Sequence, residues 1–85
     1  DEPKAQNARA MLDVLDGKAK GAVPTLQVIA EGSQNAHYWW ALGYALEKSG
    51  DQTGAIAAYQ KALEINPGEL LAAESLRQLQ GGGEE

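Results

Sequence analysis

The stretch YWWALGYALEKSGDQTGAIAAYQKALEINPGE, residues 38–69, decides how this chain folds. Trp39, Leu42, Gly43 and Leu46 recur at i, i+3, i+4 and i+7, which is one face of an α-helix. Gly50 closes that helix, since glycine readily takes the conformation in which helices end. Ala55, Tyr59 and Ala62 then fall on one face of a second helix, with Ile56 and Leu63 beside them. Gly43 and Ala55 are small, which lets two antiparallel helices approach closely. Trp39 and Trp40 are adjacent, so they point about 100° apart around the first helix. If Trp39 faces the hairpin core, Trp40 belongs to a separate stripe with His37, Tyr44, Glu47 and Lys48.

The punctuation on either side is of the same kind. Pro3 sits where the first turn of a helix tolerates it, and Gly17 follows as a stop. Pro24 is acceptable only in a first turn, so a second helix is predicted to open at Gly21 or Ala22 and to end near Gly32. The third runs from Ala36 to Ser49. The fourth runs from Thr53, read as its N-cap, to Ile65. Asn66, Pro67 and Glu69 read as cap, first helical position and third position of a capping box. A fifth helix ends near Gln80, and residues 81–85 read as a flexible acidic tail. No segment alternates with the period of a strand. The prediction is an all-α chain of about five helices joined by short turns.

Composition bounds what such a chain does. With 85 residues it is one small domain, and 44% hydrophobic against 22% charged residues reads as globular. Its apolar runs are too short to cross a bilayer, so no membrane insertion by this segment is expected. A net charge of -5 argues against a nucleic-acid backbone as partner. There is no cysteine, hence no disulfide framework and no thiolate metal site. That leaves cytosol and bacterial periplasm equally open. The chain starts at Asp1 rather than Met, and the expectation is a processed form or an excised piece of a larger scaffold or assembly protein.

The order Trp39-Leu42-Gly43-Leu46, Gly50-Asp51, Ala55-Tyr59-Ala62 and Pro67 resembles the tetratricopeptide repeat. Leu46 stands where that family prefers Tyr, and Tyr59 where it prefers Phe. The resemblance is specific over residues 36–69. Setting Ala5 under Trp39 also brings Ala8, Arg9 and Leu12 under Leu42, Gly43 and Leu46. A register one step shorter sets Gly17, Ala22, Leu26 and Ile29 under Gly50, Ala55, Tyr59 and Ala62. Residues 3–35 thus resemble a degenerate repeat with one extra residue before its second helix. Ala73, Leu76 and Leu79 begin a third unit. It stops after one capping helix, residues 70–80, whose outer face carries Glu74, Arg77, Gln78 and Gln80. The resemblance implies a single domain, 1–80, built as a short right-handed array of stacked antiparallel hairpins. Its repeat core would be Trp39, Leu42, Gly43, Leu46, Ala55, Tyr59, Ala62 and Pro67.

The resemblance also implies a groove. In the family, the stripe of His37, Trp40, Tyr44, Glu47 and Lys48 lines the concave face, and Met11 of the preceding first helix is assigned to it here. Trp40 then reads either as an aromatic anchor for a partner or as core packed on Met11 or Leu15. The family's carboxylate clamp for chaperone tails needs lysines and asparagines where this chain has Trp40 and Tyr44. Lys48 and Asn7 are too few for it, so a more apolar protein segment offering Leu, Phe or Pro is expected. The function expected is a protein–protein interaction module binding a peptide or helix. The alternative is a structural module whose terminal helix faces mediate self-association into a homo-oligomer. No enzyme is expected. His37 is the only histidine, and Asp13, Asp16, Glu31, Glu47, Glu64 and Glu74 form no acid–base motif. Gly81 to Gly83 do not make a phosphate loop, and Asp51 lacks the acidic neighbours of a calcium loop. Neither cofactor nor metal is expected.

Overall fold

The computed structural model describes residues 2–81, which form five helices. These are α1 (Glu2–Leu15), α2 (Ala19–Glu31), α3 (Ala36–Lys48), α4 (Gln52–Ile65) and α5 (Leu70–Gly81). Successive helices pack on each other, and α3 is central, touching all four others. Eleven of the sixteen buried apolar residues among those described are alanine, so the helices meet over small side chains. Among the described residues the only large side chains buried completely are Leu26 and Tyr59. The core divides into two clusters. One joins α1, α2 and α3 with Ala58 of α4, and the other joins α3, α4 and α5.

Both hairpins turn in the same way. The Lys18 amide donates to the Asp13 carbonyl and the Gly17 amide to Val14. In the second hairpin Asp51 donates to Leu46 and Gly50 to Glu47. These are the paired bonds of a glycine-terminated helix, and Gly17 (φ 85°) and Gly50 (φ 96°) supply the left-handed residue each needs. The interval from Gly17 to Gly50 is also the interval between the helix starts at Ala19 and Gln52.

The same interval extends back through α1, which corrects the expected pairing of Ala5 with Trp39. The buried residues of α1 are Asn7, Ala10 and Val14, and in this register they correspond to Trp40, Gly43 and Glu47. Ala5, Ala8, Arg9 and Leu12 are all exposed, and there is no extra residue before α2. The reason is positional. Leu42 and Ala45 share a core cluster with α2, whereas their counterparts Arg9 and Leu12 have no described helix outside them.

Three local expectations also change. First, α2 opens at Ala19, so Pro24 lies in its second turn and cannot donate to the Lys20 carbonyl. Both residues are exposed, which leaves that carbonyl to water. Second, the α4 cap is Asp51, not Thr53. Its carboxylate accepts from the Gly54 amide at 2.9 Å, and a Cβ on Gly54 would crowd it at 2.6 Å. Third, Asn66 to Glu69 form a turn and not a capping box. The Asn66 side chain accepts from Gly68, the Glu69 amide donates back to the Asn66 carbonyl, and α5 starts only at Leu70. Gly81 is the last residue of α5. The rest of the expected tail, residues 82–85, lies outside the described residues.

Candidate functional site

The site is built on α3, whose start is fixed by Asn35. Its side chain accepts from the His37 amide at 2.9 Å. From there one face of the helix carries a ladder. The His37 and Trp40 rings stack at 5.2 Å and 27°. Trp40 and Tyr44 stack at 5.5 Å and 22°. The Lys48 ammonium lies 5.3 Å from the Tyr44 ring centre, within cation–π range. The spacing of three and then four residues puts one ring over the next along the axis.

Neighbouring helices hold the ladder in place. The Trp40 indole donates to Ser75 Oγ of α5 at 3.4 Å. His37 Nδ1 lies 3.9 Å from the Glu69 carboxylate, a pair that is ionic when the imidazole is protonated. Glu47, the remaining member of the expected stripe, is turned to other work. Its carboxylate accepts from the Tyr59 hydroxyl at 2.8 Å. Burial, reinforced by that carboxylate, pushes the Tyr59 phenol well above its usual range, and the Ser75 hydroxyl opposes this weakly. Met11 of α1 is half-buried and packs on the core. In the repeat register its counterpart is Tyr44. Asn7, the counterpart of Trp40, is 7% exposed, and its Oδ1 has no hydrogen-bond partner among the described residues.

The two tryptophans have different neighbours. Trp40 bonds to Ser75 of α5, and Trp39 borders a depression lined by residues of α2 and α4. Lys61 lies 5.9 Å from the Trp39 ring, and the Trp39 Nε1 is buried with no hydrogen-bond partner among the described residues. Both indoles are half-buried and both touch the two core clusters. Trp39, expected in the repeat core, thus packs on both clusters while part of it stays exposed. Of the other expected core positions, Leu42, Gly43, Ala55, Tyr59 and Ala62 are buried, Leu46 is half-buried, and Pro67 is exposed in its turn.

Sequence reasoning did not find Ser75, Glu69 or the hollow beside Tyr44 that Val14 and Leu15 wall. The ladder's own spacing was visible; its supports come from other helices. Chemically the arrangement offers flat aromatic faces, a cation at one end and an imidazole at the other. Such faces take prolyl rings, aliphatic side chains and other aromatic rings. Among the described residues no helix is long and apolar enough to cross a membrane.

Comparison with protein families matches residues 36–69 to the family model described as tetratricopeptide repeat. Comparisons with curated proteins and with solved structures gave no match.

Proposed function

We propose, taking as premise that residues 36–69 form a tetratricopeptide repeat, that the face formed by α1, α3 and α5 binds a segment of a partner protein. Repeats of this family serve in protein–protein interaction. The observation that supports this reading is the ladder of His37, Trp40, Tyr44 and Lys48, partly exposed along its whole length. An aromatic stripe held by a hydrogen bond and an ion-pair partner is preorganised, so little side-chain entropy is lost on binding. Residues of this kind dominate interface energies. No catalytic role is part of the proposal.

The test uses peptides selected from a random display library. Trp40→Leu keeps apolar bulk against α5 and removes the ring from the stack. It should weaken binding by about 2 kcal/mol, roughly thirtyfold. Lys61→Ala, beside Trp39, should leave binding unchanged. If both variants bind like the parent protein, the groove reading is wrong.

A second reading has its own observation. Leu12, Leu15 and Val28 are 63%, 68% and 72% exposed on the first hairpin, and Leu70 is 78% exposed at the start of α5. Such faces favour association between copies. Sedimentation over a wide concentration range separates the readings, because a protein that stays monomeric throughout excludes the second.

A further inference from the structure

Three of the chain's seven basic residues gather at one end of the aromatic ladder. Lys18 and Lys20, from the α1–α2 turn and the start of α2, and Lys48, from the last turn of α3, line one depression of about 230 Å³. Through Gly17, Ala19 and Lys48 it runs into a hollow of about 270 Å³ walled by Val14, Leu15 and Tyr44. All three lysines are exposed, and none forms an ion pair among the described residues, whereas Lys61 and Arg77 each do. The register that pairs Gly17 with Gly50 sets Lys18 against Asp51. Where the second hairpin places a capping carboxylate, the first places a cation. In a chain of net charge -5 this is a local reversal of sign. Leu15 stands in the same place with two thirds of its surface exposed.

We propose that this end of the groove takes an acidic peptide segment. An apolar side chain seats against Leu15 and Tyr44, and flanking side-chain carboxylates meet Lys18, Lys20 and Lys48. The inference rests on the groove reading above and narrows it. Charge complementarity selects the sign of the partner. The apolar wall selects a peptide over a phosphate backbone, which brings no side chain for the hollow and meets an otherwise acidic surface.

The experiment selects dodecamers from a random display library. They are then synthesised with amidated C-termini, so that only side-chain carboxylates carry negative charge. The expected peptides combine Asp or Glu with Leu, Pro or an aromatic residue. Against the triple variant Lys18→Gln, Lys20→Gln, Lys48→Gln they should lose about tenfold or more in affinity, and the salt dependence of binding should flatten. Peptides that need Trp40 but carry no acidic bias, and bind the triple variant equally, would overturn this inference and leave the groove standing. Peptides indifferent to Trp40→Leu, or no binders at all, would remove both. A single-stranded oligonucleotide that binds the lysines more tightly than any peptide would overturn the choice of partner. Circular dichroism of each variant confirms that the helices remain, as all three lysines are exposed.

Discussion

The Tyr59 ring packs so closely on Gly43 that a Cβ built there would stand 2.5 Å from Tyr59 Cε1. Tyr59 is wholly buried and its hydroxyl is held by Glu47, so the ring has nowhere to go. Gly43→Ala should therefore destabilise. Overpacking costs about 1–3 kcal/mol, and the better helix propensity of alanine returns about 1 kcal/mol. In a Tyr59→Leu background the same change should cost nothing. The first hairpin already carries that pair, with Ala10 and Leu26 at the equivalent positions. Urea unfolding of the four proteins checks this, and Gly43→Ala equal to the parent would refute it.

The Tyr59–Glu47 bond makes a pH prediction. The phenol is held above its ordinary range in the folded protein by burial and by Glu47. The folded state thus binds this proton more tightly than the unfolded chain. That stability is fully present below the unfolded pKa of about 10 and is lost as pH rises above it. The melting temperature should fall steeply above about pH 10, and Tyr59→Phe should flatten that limb. At neutral pH Tyr59→Phe should cost about 1–3 kcal/mol, since it leaves the half-buried Glu47 without its donor. An alkaline limb unchanged by Tyr59→Phe would remove the assignment.

The α4 start gives a paired test. Asp51→Ala should cost about 1 kcal/mol and Asp51→Asn much less, because both native and asparagine side chains can accept from the Gly54 amide. Thr53→Ala should be silent within about 0.5 kcal/mol, as an exposed residue outside the cap. The reverse order in thermal melts would restore Thr53 as the cap.

Pro24 sits in the second turn of α2 and costs the helix a hydrogen bond. Pro24→Ala should raise stability by about 2 kcal/mol, from a helix gain near 3 less up to 1 from the freer unfolded chain. A loss of stability would mean that α2 opens after Ala19.

The tryptophans should respond to removal alike, which does not fit a simple division into core and groove. Each is half-buried and each joins both clusters, so both alanine variants should cost about 3 kcal/mol, the low end for a large aromatic. Phenylalanine distinguishes them. At Trp39 it deletes a buried N–H with no partner among the described residues, and at Trp40 it deletes the donor to Ser75. Trp39→Phe should be the milder change by about 1 kcal/mol. Equal effects in chemical denaturation would contradict the two environments.

Much of this architecture is written in local order. The i, i+3, i+4, i+7 spacing from Trp39 to Leu46, the small Gly43 and Ala55, and the paired glycines Gly17 and Gly50 fix helices and hairpins. Periodicity and backbone conformational preference act within a few residues, so one hairpin is readable from its own letters. The ladder of His37, Trp40, Tyr44 and Lys48 was legible for the same reason, since residues on one helix face obey the helix's own period. Tertiary structure alone decided the rest. Whether Leu12 or Ala10 is buried depends on which neighbour covers α1, and the end of an array has no neighbour on one side. Whether Asp51 or Thr53 caps α4, and where Pro24 sits, followed from turn hydrogen bonds that two hairpins share. Ser75 against Trp40 and the gathering of Lys18, Lys20 and Lys48 bring together residues from separate helices. Their meeting depends on how those helices pack, a relation that no local pattern encodes.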